Sequence, residues 1–405
     1  MGDRVTRRRY LQSAAAGTAL LAGCASPESS DDRNAGDSTT DEQGDAGSAT
    51  ATGTTESTSY QASLAPMGDV TFEEPPESAF VLFPQYADMA VALGHGDAVN
   101  SIFVPQMSGP TMNNYYDHLD GVSFDYEELP DPLGDGLDPE QFYDLGSDVH
   151  FLDPAYVRNQ DGWSASDVGD VESSIGPWFG NFYSGTHARP HEAYRDDYEY
   201  YTLWELFGRV ADVFQERERF EALRGVHEDL LATIEDGLPP EDDRPTAVRV
   251  TYSEGSFFTY HLNKPGYWLA DTRPLGADDA FADENWSNLW GTVGYETMLD
   301  ADPDVILHLW GATPTYDMAD VRERLRESEA GGRLSAVEDD RVYASGMRYQ
   351  GPIMNLFQLE MTAKQLYPDA FGAWPDYQGG SYPEIPEAEQ LFDRERVASV
   401  VTEGA

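Results

Sequence analysis

Between Thr202 and Gly237 the chain reads TLWELFGRVADVFQERERFEALRGVHEDLLATIEDG, and its apolar residues recur at helical spacing. Leu203, Leu206, Phe207, Val210 and Phe214 share one face, which Phe220, Leu223, Val226, Leu230 and Ile234 continue. A break is expected near Gln215. The second part, about 20 residues at roughly 1.5 Å each, would extend about 30 Å, enough to cross the side of a small domain. Leu238-Pro239-Pro240 stops the run and Arg244-Pro245 opens a new unit, so 202–237 is expected to be a helical strut between two lobes.

Both flanks carry strand and helix signals. In 63–201, Ala79 to Phe83 is a strand candidate, Tyr86 to Leu93 a helix closed by Gly94, Val99 to Val104 a second strand, and Asp148 to Asp153 a third, stopped by Pro154. In 238–405, strand signals fall at Ala247 to Tyr252, Asp302 to Leu309 and Arg341 to Ala344. An aromatic segment runs from Phe257 to Tyr260, and helices are expected over Tyr295 to Leu299, Asp320 to Glu329 and Ile353 to Leu366. The expected fold is therefore α/β: two α/β lobes joined by one long rigid helix, with a ligand cleft between them. Long aromatic-rich connections at 105–147 and 155–200 are where such a cleft would hold a ligand.

A content of 40% hydrophobic residues over 405 positions supports a folded body of this size. The 74 acidic against 25 basic residues give a net charge of −49, spread along the chain, which repels nucleic acid and excludes it as a partner. Only Lys264 and Lys364 are lysines. Such dense acidity keeps a protein dispersed where concentrated salt screens its self-repulsion, and the composition resembles that of haloarchaeal proteins.

The N-terminus has an address of its own. Thr6-Arg7-Arg8-Arg9-Tyr10-Leu11-Gln12 is a twin-arginine pattern, followed by the short apolar run Ala14 to Leu21 and by Leu21-Ala22-Gly23-Cys24. Residues 1–23 are expected to be an export signal for a folded protein, since so short a run cannot span a hydrocarbon core of about 30 Å. Leu-Ala-Gly-Cys resembles a lipobox, and Cys24, the sole cysteine, is the expected lipidation site. Residues 24–62, rich in Ser, Thr, Asp and Gly, are expected to form a disordered tether. The protein would then sit lipid-anchored on the extracellular face of the membrane, as a monomer.

Ser78-Ala79-Phe80-Val81-Leu82, Ala92-Leu93-Gly94-His95-Gly96-Asp97-Ala98-Val99, the strut, Tyr295-Glu296-Thr297-Met298-Leu299-Asp300-Ala301-Asp302-Pro303-Asp304-Val305-Ile306 and Asp340-Arg341-Val342-Tyr343-Ala344 carry a likeness. Together they resemble the helical-backbone (class III) solute-binding proteins of ABC importers for iron-siderophores, cobalamin and haem, over about residues 65 to 400. The resemblance implies capture of a ferric siderophore or similar iron chelate between the lobes, with cobalamin or haem as the alternative ligands. It also implies delivery to a permease dimer driven by ATPase subunits. Acidic residues at the lobe tips would dock on the permease; Glu296 holds that position in the second lobe and Asp88 offers it in the first. No resident cofactor is implied.

A large rigid ligand calls for flat apolar faces with a few polar contacts. Candidates are Tyr86, Trp178 and Tyr183 from the first lobe, and Tyr252, Tyr260, Trp290 and Trp310 from the second. In the family fold Arg348 and Tyr349 face the cleft, where the guanidinium could hold carboxylate, catecholate or hydroxamate oxygens; a salt bridge to a local carboxylate is the plainer reading of Arg348. The eight histidines form no ligand motif, which disfavours a bare metal site. No Gly-x-Ser-x-Gly elbow, Walker A loop or dinucleotide fingerprint occurs, so a surface-anchored hydrolase is the weaker alternative and no enzyme is expected.

Overall fold

The computed structural model describes residues 59–286, 288–377 and 379–405. The export signal, Cys24 and most of the tether lie outside the described residues. Order begins earlier than the expected lobe boundary at 63: β1 (Tyr60–Leu64) pairs antiparallel with β2 (Gly68–Phe72), and Tyr60 stacks on its cross-strand partner Phe72 at 5.6 Å.

The first lobe is built on β3 (Ala79–Val81), parallel to β4 (Val149–Phe151) and widened by single bridges from Ala79 to Val99 and from His150 to Trp178. Val99 to Val104 does not form the expected strand. After its one pairing the chain turns away at Val104, whose φ of 41° is left-handed, and Pro105 starts a helix. Helix α1 (Pro84–Ala92) follows β3 directly, with proline at its first turn, and α2 is Pro105–Tyr116. Helix α3 (Pro139–Leu145), capped by Asp138 and ended by left-handed Gly146, leads into β4. Helix α4 (Ala165–Ser174) carries a capping box from Ser164 and Asp167.

The strut breaks where its sequence does. Helix α5 (Leu203–Phe214) opens with a Thr202/Glu205 capping box and stops at Gln215, which takes a left-handed φ of 59°. Helix α6 (Arg217–Gly237) then runs 21 residues, about 30 Å at the usual rise.

The second lobe has a six-stranded mixed sheet. Strands β5 (Thr246–Ser253), β9 (Val305–His308) and β10 (Val342–Ala344) run parallel. On the other side of β5 comes β6 (Ser256–Tyr260), antiparallel to it, and then β8 (Trp290–Gly294), antiparallel to β6, while β7 (Asp278–Asp279) pairs with the start of β5. Helices α7 (Tyr295–Ala301) and α8 (Met318–Glu327) cover one face, where Val248, Val250, Phe257, Met298 and Ile306 form the core. The aromatic segment at Phe257 is thus a sheet strand, and the lobes share an outline but not a sheet.

Helix α9 (Pro352–Leu366) departs most from its periodicity. Leu356, Phe357, Leu359 and Leu366 are inward as expected, yet every other residue is buried as well. Its polar groups find internal partners: Glu360 accepts from Arg394 at 2.6 Å and Tyr382 at 3.0 Å, and Lys364 donates to the Phe371 carbonyl at 2.6 Å. The segment leading to α10 (Arg394–Glu403), with Arg394 at its start, covers part of a face that the sequence pattern left to solvent.

Candidate ligand site between the lobes

Strand parity sets up the site. Alternate residues of a strand face opposite ways, so Arg249 points away from the core occupied by Val248 and Val250. Tyr260 lies directly across from Arg249 in the ladder, and Trp290 directly across from Tyr260. These three residues share the face of the second sheet opposite its apolar core.

Onto this face comes Ser345 to Gly351, the link from β10 to α9. Its first residues are held by the sheet: Trp310 donates its N–H to Gly346 O at 3.0 Å and Ala312 to Ser345 O at 3.0 Å. Arg348, only 3% exposed, then enters a cage of rings. Its guanidinium carbon lies 4.4 Å from the Trp268 ring centre, 4.8 Å from Tyr349 and 5.6 Å from Trp310. Nη1 donates to Tyr260 Oη at 3.1 Å and Nη2 to Tyr349 Oη at 2.8 Å, while Nε is buried with no partner.

The salt bridge of the plainer reading does not form among the described residues. The other two fully buried arginines each face a carboxylate, Arg249 with Asp271 at 2.9 Å and Arg394 with Glu360 at 2.6 Å, but among the described residues none pairs with Arg348. A buried guanidinium keeps its proton, so the cage holds a positive charge balanced only by ring faces and hydroxyls. Burial pushes the Tyr260 hydroxyl above its ordinary value, so it stays protonated.

The first lobe supplies the opposite wall. Phe83 and Phe103 lie 5.1 and 6.1 Å from the Tyr349 ring, and Phe182 lies 5.7 Å from Trp268 and 4.5 Å from Tyr156. The backbones nearly touch here: a Cβ on Gly266, whose φ is 126°, would meet the Gly185 carbonyl at 2.4 Å. Gln85 also donates to the Tyr267 hydroxyl across the gap at 3.1 Å.

Of the sequence candidates, Tyr260, Trp290, Trp310, Arg348 and Tyr349 are brought together. Tyr183 borders the wall, its ring 5.4 Å from Phe182 and its hydroxyl accepting from Asn159. Three others are core. Tyr86 stacks on Phe151 at 5.7 Å and accepts the Asn181 N–H at 2.7 Å. Trp178 joins the first sheet through its bridge to His150, packs on Phe142 at 5.1 Å and donates to Val168 O at 3.0 Å. Tyr252 shares strand parity with Val248 and Val250, so it packs on Phe257 and bonds the Tyr295 hydroxyl at 2.8 Å on the far side of the sheet. The sequence reading missed Trp268, Phe83, Phe103, Tyr156 and Phe182; only the aromatic loop around Phe182 signalled any of them.

Glu296 is exposed in the first turn of α7. Asp88 is not at a lobe tip: its side chain is fully buried, because α1 lies under α9. The first lobe has a better match in Glu140, exposed in the first turn of α3, which precedes β4 by the interval at which Glu296 precedes β9. Aspartates just before the two strands match as well: Asp148 accepts the Ser78 N–H and Asp304 the Thr246 N–H, each at 2.8 Å.

Similarity is found in structure. A scan against protein-family models and a sequence search of curated proteins both return no match. A periplasmic binding protein from Veillonella parvula superposes with a TM-score of 0.53 at 14% identity, covering 78% of this chain and 94% of its own. The fold is that of a periplasmic solute-binding protein. A Bacillus subtilis periplasmic binding protein of the FhuD fold-family, a component of a Fep/Fec-like ferrichrome ABC transporter, gives 0.51 at 17% identity over 75% of this chain and 98% of its own. The substrate-binding protein PiuA of an iron uptake ABC transporter from Streptococcus pneumoniae gives 0.50 at 13% over 75% and 100%. The Arg348 cage lies where the two lobes face each other.

Proposed function

We propose that the protein is the solute-binding component of an ABC importer and captures a ferric siderophore or similar iron chelate in the Arg348 cage. The observation that carries this reading is a buried guanidinium, between two lobes, that has aromatic and hydroxyl neighbours but, among the described residues, no carboxylate partner. A ligand oxygen bearing negative charge would supply the missing counter-charge, with Nε and the Tyr260 and Tyr349 hydroxyls as donors. The rings would lie against the ligand's apolar flanks. The Bacillus protein, a component of a Fep/Fec-like ferrichrome ABC transporter, and the Streptococcus protein, of an iron uptake ABC transporter, support the same reading. Capture and delivery need no bond making, so affinity and docking geometry are the whole mechanism. The haloarchaeal setting, export by the twin arginines and lipid anchoring at Cys24 belong to this proposal and place the site outside the cell.

Docking is assigned to Glu296 and Glu140, in place of Asp88. Charge reversal at either glutamate, Glu296→Arg or Glu140→Arg, should abolish uptake of radioactive ferric chelate by cells while leaving affinity in solution unchanged. Uptake at the wild-type rate by both variants would contradict this docking assignment.

A further inference from the structure

We propose that Asp88 is a positioning residue: a cap, contributed by the first lobe, that fixes the ligand-contacting segment Ser345 to Gly351 at its α9 end. This rests on the ligand role of that segment. Gly351 is the N-cap of helix α9 and has no side chain to satisfy the first N–H groups of the helix. Asp88, on α1, supplies the acceptor instead: Oδ2 takes the Met354 N–H at 3.1 Å, and Oδ1 accepts from the Tyr116 hydroxyl of α2. The approach is so close that a Cβ on Gly351 would lie 2.5 Å from Asp88 Oδ2 and 2.7 Å from the Gln85 carbonyl. The segment carrying Arg348 and Tyr349 is therefore tied to the second sheet at Ser345 and Gly346, and to the first lobe through Met354 in the first turn of α9. Movement of one lobe against the other must pull on it.

The cap is also sensitive to protons. The groups facing the carboxyl are Tyr116 and Tyr115 of α2 and the Ile353 and Met354 N–H groups of α9; among the described residues no cation pairs with it. Burial pushes Asp88 up to about 7, against the pull of the Tyr116, Met354 and Ile353 hydrogen bonds. Above that pH the carboxylate carries a full negative charge at the helix N-terminus, which strengthens the cap. Below it the group is neutral and the cap is weaker. Release of the α9 turn with Asp88 still buried in the first lobe breaks the two N–H bonds that favour the carboxylate, so the hold on the segment tightens as pH rises; global unfolding, which returns the carboxyl to water, has the opposite sign, because the folded value lies above the ordinary 3.8 and that contribution is lost as pH rises through about 7.

Hydrogen exchange of the full-length, unliganded chain, corrected for intrinsic rates, tests this at pH 6 and pH 8.5. In the wild type, protection of residues 345 to 354 should be roughly threefold to tenfold higher at pH 8.5 than at pH 6. Asp88→Asn, a neutral cap of the same shape, should hold the pH 6 level at both. Asp88→Ala should lose about a further tenfold, and Gly351→Ala should behave alike by displacing the carboxylate. Protection of α6 should stay constant. An unchanged segment in Asp88→Ala, or a wild-type pH profile in Asp88→Asn, overturns the proposal. Affinity separates this from the ligand reading: if Arg348→Ala loses binding of ferrichrome, ferric citrate or ferric enterobactin while the Asp88 variants keep it, positioning fails. Silence of the wild type toward all three overturns the ligand reading instead, independently of the exchange result.

Discussion

Arg348→Ala should weaken binding of an anionic ferric chelate by at least about tenfold, because a charge-assisted hydrogen bond contributes about 1.5–3 kcal/mol and Arg348 has a free Nε and no competing carboxylate. Arg348→Lys should recover only part of the loss. A lysine keeps the charge but cannot present a planar fork to Tyr260 and Tyr349 while stacking on Trp268. The folded state should tolerate the alanine, since removing an unpaired buried charge leaves no carboxylate stranded. Equilibrium dialysis with the ferric chelates gives the affinities and thermal unfolding gives the stability; full affinity in Arg348→Ala would remove the cage from the binding site.

Arg249 is the contrasting case. It and Asp271 are both at most 1% exposed, and Asp271 also accepts from Gln350 at 2.9 Å. Gln350 in turn accepts from Asn355, and Asn355 from the Trp204 indole of α5, so the ion pair anchors a hydrogen-bond chain running from β5 to the strut. Arg249→Ala strands the Asp271 carboxylate and should destabilise the protein by about 3–5 kcal/mol. Replacing both partners with apolar residues of similar volume should recover much of that loss. Denaturant unfolding in concentrated KCl measures both; a loss below about 1 kcal/mol in the single variant would mean that solvent reaches Asp271.

Much of this architecture was legible because it rests on local patterns. The strut announced its length, its break at Gln215 and its proline stop, and β9 and β10 were bounded by Asp302-Pro303 and Asp340-Arg341. Val99 to Val104 was misread because one left-handed residue, Val104, ends a run whose composition suits a strand. Helix α9 was read as amphipathic because the residues that bury its polar face, such as Tyr382 and Arg394, come later in the chain.

The site was legible by parity but not by composition. Tyr260 and Tyr252 are both tyrosines on neighbouring strands, and only their registers put one in the cage and the other in the core. Counting from Val248 and Val250 would have separated them. Nothing in the sequence marks Phe83 or Trp268, whose role depends on how the lobes face each other. Asp88 misled for a related reason: in so acidic a chain a carboxylate is ordinarily a surface group, and only the packing of α9 on α1 buries this one.

Intrinsic fluorescence tests the central claim most directly, because Trp268 and Trp310 flank the Arg348 guanidinium. The protein is titrated in multimolar KCl with ferrichrome, ferric citrate and ferric enterobactin, their iron-free forms, haemin and cobalamin. Saturable quenching by a ferric chelate, absent with its iron-free form and lost in Arg348→Ala, is the predicted result. A response confined to haemin or cobalamin, or none across the panel, would contradict it.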